Sequence, residues 1–489
     1  MKKANRKNRK PIVKSDPHPW KLVYDRFKPA QEGLREALCT LGNGYFGTRG
    51  AMAETSASRI HYPGTYLAGG YNKLATSIAG RVAMNEDFVN CPNWLLLMFK
   101  IGSGEWIIPS ENKILSYKQE LDMRRGLLTV KIRIQDQMRR RTMITMQRIV
   151  HMAEPHRAAI KYTIMPEDYE GNITIRSALD GTVKNTGVAR YRQLNSRHLK
   201  LCSIGSFRKN GIYLSVKTTR SKLVIGQAAR VRIFVGGKEK RPPSEVLVKK
   251  KKMICQDFGV FVGRRQCCVV EKVVSMYTSK DKGVRNPVKA AVHSAERSVR
   301  FDVLLKSHKK EWSRLWEKFD IRIQGDDFLQ KTIRLHIFHL LQTASIHNVS
   351  IDAGLPARGL HGEAYRGHIF WDELFVLPVF DTHIPSISKA LLMYRYNRLQ
   401  PARKYARDNK YDGAMFPWQS GSTGEEETQT IHLNPMSGKW GPDHSCRQRH
   451  VSFAIAHNVW QYWETTADKD FLNKYGAECY CLSHNSGRA

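Results

Sequence analysis

Leu128-Thr-Val-Lys-Ile-Arg-Ile134 and Arg141-Thr-Met-Ile-Thr-Met-Gln-Arg-Ile-Val150 decide how the first half of this chain folds. Apolar and polar side chains alternate along both with the two-residue period of a strand that has one face on a core. Runs of the same texture recur at Ala158–Ile164, Ile173–Ala178, Gly211–Val216 and Val231–Val235. Turn signals such as Glu170-Gly-Asn172 and Asn185 to Gly187 separate them. From about residue 18 to 275 no helical period intervenes, so the expectation is a large antiparallel sandwich without helices between its strands. Leu41-Gly-Asn-Gly-Tyr-Phe-Gly47 matches part of a dinucleotide fingerprint, but without a βαβ context it reads as strand and turn.

The period changes near Asp281. Phe301, Leu304, Leu305, His308, Trp312, Leu315 and Trp316 fall at helical spacing. So do Ile333, Ile337, Phe338, Leu340, Leu341 and Ala344, and later Val451, Ala454, Ile455, Asn458, Val459 and Tyr462. Pro287 stands where a helix can begin. A β block followed by an α block means separate domains rather than a doubly wound sheet.

The chain has 489 residues, 41% hydrophobic and 25% charged, which is globular composition and room for roughly two to four domains. Its 80 Lys and Arg against 44 Asp and Glu give a formal charge of +36. Nucleic-acid binding is the first reading of such a balance. The basic residues are spread along the chain, and no zinc-finger, basic-zipper or RNA-recognition pattern accompanies them. A basic enzyme surface is therefore preferred, with nucleic-acid binding kept as the remote alternative. The denser runs, from Lys2 to Lys14 and Lys249–Lys252, read as a solvated tail and a charged loop or strand edge. Nine cysteines without zinc-type spacing point to thiols in a reducing compartment and to no metal. No signal-peptide run follows the basic N-terminus, and the longest apolar stretch, Trp94 to Phe99, is far too short to span a bilayer. A cytoplasmic location is expected, with no membrane partner.

Two segments concentrate chemistry. Gly354-Leu-Pro-Ala-Arg-Gly-Leu-His-Gly-Glu-Ala-Tyr-Arg-Gly-His-Ile-Phe-Trp-Asp-Glu373 combines glycines, arginines, histidines, an aromatic pair and carboxylates. An indole face suits a sugar ring, and a carboxylate accepts two hydroxyls in a fork. The competing reading is that Phe370, Trp371 and Leu374 start a buried helix whose acids serve as its cap. Tyr411-Asp-Gly-Ala-Met-Phe-Pro-Trp-Gln-Ser-Gly-Ser-Thr-Gly-Glu-Glu-Glu427 is an aromatic turn followed by a polar loop, and Arg449–His450 comes further on. Nucleophile-elbow, phosphate-loop and zinc-protease motifs are lacking.

Ala357-Arg-Gly-Leu-His-Gly-Glu-Ala-Tyr-Arg-Gly-His-Ile-Phe-Trp-Asp372 resembles the segment that opens the catalytic domain of glycoside hydrolase family 65, the maltose, kojibiose and trehalose phosphorylase group. Phe416-Pro-Trp-Gln-Ser420 with Thr423-Gly-Glu-Glu426, Asn458-Val-Trp-Gln-Tyr462 and Tyr475-Gly-Ala-Glu478 resemble later parts of that domain. Glu32 to Gly50 and Tyr62 to Tyr71 resemble its N-terminal domain. The resemblance implies an N-terminal antiparallel β-supersandwich over 18–278 behind a basic tail at 1–17, a helical linker over 279–325 and an incomplete (α/α)6 barrel over 326–489. It implies inverting cleavage of an α-glucosidic bond in a disaccharide, by phosphorolysis to β-glucose 1-phosphate or, in a few members, by water. Inorganic phosphate would be the co-substrate and no cofactor is implied. Dimers are common in the family, so the resemblance allows a homodimer of the full-length protein without fixing the oligomeric state.

By the same resemblance Trp371 and Asp372 hold glucose at the cleavage subsite, and Arg358, His368, Trp418 and Glu426 form the pocket wall. Inversion needs an acid on one face of the bond and a nucleophile on the other. The family's general-acid glutamate follows a Pro-Asp; here His444 follows Gly441-Pro-Asp443, so no catalytic acid is assigned and it is expected beyond Ala489. Cys479-Tyr-Cys-Leu-Ser-His-Asn-Ser-Gly-Arg-Ala489 lacks helical periodicity where an apolar helix is due. A frame shift after Glu478 and a truncated barrel are therefore expected, and with them a poorly soluble or inactive chain.

Overall fold

A computed structural model of the chain describes residues 18–78, 80–249, 252–434 and 436–485. The basic tail and Lys250–Lys251 lie outside the described residues. The alternating runs form two antiparallel sheets packed face to face. The larger has the order Lys21–Tyr24, Lys113–Asp122, Leu127–Gln135, Arg141–Val150, Arg157–Pro166, Cys268–Thr278, Val224–Val235, Gly211–Thr218 and Leu199–Phe207, with a short strand added beside Val224–Val235. The smaller runs Ser244–Lys249, Met253–Val262, Gly171–Asp180 and Leu97–Ile101. Ile144 faces Ile132 and Met146 faces Val130 across one ladder, and all four are buried against the second sheet.

Strand Cys268–Thr278 lies mid-sheet and is covered on both faces, so nearly all of it is buried, including the charged pair Glu271 and Lys272. Its outer side meets the helices that follow the sandwich. Phe301, Leu304 and Leu305 pack on Leu127, Ile149, Ala159 and Val273, while Ala291 and Ala295 pack on Ala228. Helix Phe301–Phe319 buries every residue of the predicted seam, and helix Pro287–Glu296 starts at the expected proline with Asn286 as its cap. Helices Asp327–Thr343, Glu373–His383, Pro385–Tyr396, Leu399–Asp408 and Val451–Thr466 follow, joined by the long loops that carry the site. Among the described residues no helix is long and apolar enough to cross a membrane.

Two expectations are corrected. The sandwich region does contain a helix, Glu32–Leu38. Its buried side chains are Glu32, Arg35 and Glu36, satisfied by ion pairing and by His61, so no apolar period marks it. The second correction is at the other end, where Ala477–Asn485 is helical despite its pattern. Contacts hold its first turn: Cys479 is buried, and Glu478 accepts hydrogen bonds from Tyr396 and Arg403.

Candidate functional site

The segment before helix Glu373–His383 crosses from the helices to the sandwich and back. Tyr365 and Arg366 both take left-handed backbone angles, φ 52° and 56°, and Gly367 follows at 66°. Two consecutive non-glycine residues in that region are strained and persist only where their surroundings fix them. A Cβ on Gly367 would lie 2.5 Å from Cβ of Phe88, so the backbone passes against the sandwich hairpin Tyr71–Ile78/Arg81–Phe88. Tyr71 donates its hydroxyl to the Gly367 carbonyl.

Glu363 is the principal tie between the two blocks. Its carboxylate accepts hydrogen bonds from the Tyr62 hydroxyl, from the Tyr66 hydroxyl at 3.0 Å and from the Gly187 amide at 2.9 Å. Burial pushes its pKa up to about 7, opposed by these donors. The Arg366 guanidinium is buried 3.7 Å from Asp87 and over the Tyr191 ring.

The competing readings of the two acids at the helix start separate here. Glu373 is buried and spent on structure: it accepts from Arg395 at 2.8 Å and from the Leu355 amide at 3.1 Å. Asp372 is only half-buried, makes no side-chain cap bond, and its carboxylate has no hydrogen-bond or ion-pair partner among the described residues. It lines a cavity of about 1130 Å³. Arg358 and Glu363 share that cavity, and its sandwich-side wall is Arg49, Ser58 to Tyr62 and Thr186 to Val188.

Trp371 and Trp418 come from different loops and meet on His450, with ring centroids 4.6 and 5.1 Å from it; Phe370 packs on Trp418 at 5.2 Å. The loops are zipped together where Ile369 and Ser420 exchange backbone hydrogen bonds. Glu426 sits beneath the Trp418 turn and accepts from the amides of Trp418 at 2.8 Å, Gln419 at 3.2 Å and Thr428 at 3.0 Å. His368 is fully buried between the Glu86 carbonyl, at 2.9 Å, and Gln419. Burial lowers its pKa to about 4, so it is neutral near pH 7. Sandwich hairpin residues also hold the second loop. Glu86 accepts from the Ser422 amide, Lys73 pairs with buried Glu427 at 2.7 Å, and a Cβ on Gly421 would collide with the Glu86 carboxylate.

Arg358 and Asp372 thus share a cavity, Trp371 and Trp418 share a ring cluster, and His368 and Glu426 stand behind these as supports. Sequence reasoning missed Glu363, Tyr62, Tyr66 and the hairpin residues Lys73 and Glu86. Glu363 lay within the densest segment, but its partners belong to the other domain.

The family description "Glycosyl hydrolase family 65, N-terminal domain" matches residues 22–315, and "Glycosyl hydrolase family 65 central catalytic domain" matches residues 334–481. An uncharacterized glycosyl hydrolase of Mycobacterium tuberculosis is 42% identical over 94% of this chain and 34% of its own length. A kojibiose phosphorylase of Caldanaerobacter subterraneus is 34% identical, and a trehalose 6-phosphate phosphorylase of Lactococcus lactis 32%; each alignment covers 94% of this chain and 58% of the relative. The chain therefore spans about a third to three-fifths of the length of these relatives. A solved structure of a proposed kojibiose phosphorylase from the human microbiome superposes with a TM-score of 0.83 at 22% identity, over 96% of this chain and 59% of the other, which speaks to the fold.

Proposed function

Because the chain belongs to glycosyl hydrolase family 65, we propose that it binds the glucose unit of an α-linked disaccharide and serves its phosphorolysis to β-glucose 1-phosphate. In this reading Asp372 accepts two sugar hydroxyls and the neighbouring Trp371 indole, held on His450 together with Trp418, packs against the ring. The observation that carries it is the contrast at the helix start. Glu373 is consumed by Arg395 and Leu355, whereas Asp372 faces the cavity with both oxygens unspent. A carboxylate kept unpaired beside a cavity has its hydrogen-bonding capacity available for a ligand.

Phosphorolysis with inversion needs an acid to protonate the leaving oxygen and a phosphate held on the opposite face. Among the described residues the cavity-lining carboxylates are Asp372 and Glu363, and three donors already converge on Glu363. That count supports a second reading, in which these residues bind the glucoside without turning it over.

Calorimetric titration with kojibiose, maltose and trehalose, followed by assay for glucose 1-phosphate in the presence of phosphate, separates the readings. Binding with product formation supports phosphorolysis, and binding alone supports the second reading. Absence of binding to all three, with Asp372→Asn indistinguishable from the parent, refutes the glucose site.

A further inference from the structure

The chain's basic residues are spread along the sequence, but its acids are not. Between Asp180 and Glu239 there is no Asp or Glu in 58 residues, where the chain's average would place about five, and 13 of those residues are Lys or Arg. This stretch supplies three successive strands at one margin of the large sheet, Val224–Val235, Gly211–Thr218 and the edge strand Leu199–Phe207. Its charge is therefore gathered into one lobe.

Register assigns the two faces of the outer hairpin. Ile212, Leu214 and Val216 are buried in the sandwich, so Gly211, Tyr213, Ser215 and Lys217 belong to the opposite face. Their partners across the ladder are Phe207, Gly205, Ser203 and Lys200. Two lysines thus stand directly opposite one another, which costs stability that an anion bound between them would restore. Neither has an ion-pair partner among the described residues. At the other end of the hairpin Arg208 and Lys209 form an exposed turn, where Arg208 pairs with Glu296 at 2.9 Å and Lys209 has no acidic partner among the described residues.

Between these ends two aromatic rings lie on glycines. A Cβ on Gly205 would fall 2.6 to 2.9 Å from the hydroxyl end of Tyr213, and one on Gly211 would collide with the Phe207 ring. Each ring is laid across the bare backbone of the glycine opposite it, which shields that glycine in the sheet. Both rings pack on the cluster of Ala228, Ala291 and Ala295 under helix Pro287–Glu296 and remain half-buried, so they are fixed before any ligand arrives. A sheet face that offers fixed rings between basic residues is the arrangement on which single-stranded nucleic acid stacks its bases. Lysine on an edge strand also discourages pairing with another sheet. That role needs neither Lys217 on the inner strand nor rings laid over glycines. Sugar-binding faces use rings as well, but with carboxylates to accept the hydroxyls, and residues 181–238 contain none.

We propose that the outer face of the hairpin Leu199–Phe207/Gly211–Thr218 docks single-stranded nucleic acid, with bases stacked on Tyr213 and Phe207 and phosphates on Lys200, Lys217 and Lys209. The eight residues of Gly211–Thr218 extend about 26 Å at the rise of a strand, which suits the short end of the roughly 4–16 nucleotides such surfaces hold. No residue of this platform lines the cavity beside Asp372, so the site stands apart from the glucose reading.

The test is fluorescence anisotropy with labelled oligo(U) and oligo(dT) of about 12 nucleotides, titrated with the 489-residue protein between about 50 and 200 mM salt. Both should bind at least about fivefold more tightly than a duplex of the same length, with log K falling linearly against log salt. Lys200→Gln/Lys217→Gln should weaken binding and flatten that line by about 1.4, since each lost phosphate contact removes about 0.7 from the slope. Lys306→Gln/Lys310→Gln, at two exposed lysines of helix Phe301–Phe319, removes the same charge and should leave affinity and slope unchanged. Tyr213→Leu and Phe207→Leu should each cut affinity at least about threefold at an unchanged slope, in protein that circular dichroism shows to be folded. Tighter binding of oligo(U) or of oligo(dT) names RNA or DNA as the source, and either supports the platform. The proposal is overturned if neither oligonucleotide binds, if the duplex binds as tightly, if the Lys306 and Lys310 variant loses as much as the Lys200 and Lys217 variant, or if both ring variants bind like the parent. Displacement of the oligonucleotide by maltoheptaose also overturns it and gives the rings to a neutral glucan.

Discussion

Strand Arg141–Val150 and the loop from Gly354 to Asp372 are both packed against the middle of the molecule, yet they bury different chemistry. The strand hides Ile144, Met146, Ile149 and Val150, leaves Thr145 and Gln147 half-buried, and has one buried charge, Arg148, held by the carbonyls of Arg49 and Ala51. The loop hides Glu363, Arg366 and His368 and holds its shape through partners on the other domain. Apolar burial is non-directional and tolerates small shifts. Buried polar groups must be matched one by one, and each loss leaves a group unsatisfied. The sandwich is thus a scaffold of many small contributions, whereas the site is a geometry fixed by a few large ones.

Substitutions can set the two against each other. Arg395→Met leaves Glu373 buried and unpaired and should cost about 3–5 kcal/mol, read as an earlier urea midpoint for the helical region. Ile164→Ala, at a fully buried position of the sandwich, should cost about 2–5 kcal/mol. If Arg395→Met proves milder than Ile164→Val, at about 0.5–1.5 kcal/mol, the contrast between the regions collapses.

A pH series sharpens it further. The carboxyl of Glu363 is raised from 4.5 to about 7, so the folded protein holds that proton more tightly than the unfolded chain. Its stabilising contribution is complete below about pH 4.5 and lost as pH rises through 7, with a slope of at most about 1.4 kcal/mol per pH unit. Glu363→Gln should remove that slope. Some will remain, because burial also raises Glu427 to about 7 against the pull of Lys73. An unchanged pH profile in Glu363→Gln would show that the carboxyl titrates normally. The smallest stability effect belongs to Asp372→Asn, below about 0.5 kcal/mol in unfolding, since no folded contact depends on it. Its glucose affinity should nevertheless fall at least about tenfold, by titration.

Legibility in the sequence followed the same division. Strand Arg141–Val150 and the Phe301–Phe319 seam were readable because their neighbours impose a single repeating demand on every second or every third to fourth side chain. Helix Glu32–Leu38 was not, since it faces ion-pair partners rather than an apolar layer. At the site, the Phe-Trp-Asp run was conspicuous as a resemblance, but composition left Asp372 and Glu373 indistinguishable. Arg395 and the Leu355 amide, 22 and 18 positions away, tell them apart. The Glu363 clamp was out of reach: Tyr62, Tyr66 and Gly187 lie 301, 297 and 176 residues from it in sequence. A hydrogen bond across such separations imposes no local period.

The order of strands in the large sheet also sets a timetable for synthesis. Cys268–Thr278 is its last strand to leave the ribosome, yet it takes the place between Arg157–Pro166 and Val224–Val235. Until it arrives, the strands up to Pro166 and those from Leu199 to Val235 are two half-sheets with open edges. At ordinary elongation rates the interval between residues 166 and 278 lasts roughly 6–20 s, long enough for a nascent edge to find a wrong partner. The late strand also carries Lys272, whose ammonium reaches the carbonyls of Leu96 and Ala178, each at 2.9 Å. One segment therefore joins the halves of the first sheet and fastens the second to it, which makes it the step on which assembly of the nascent domain waits.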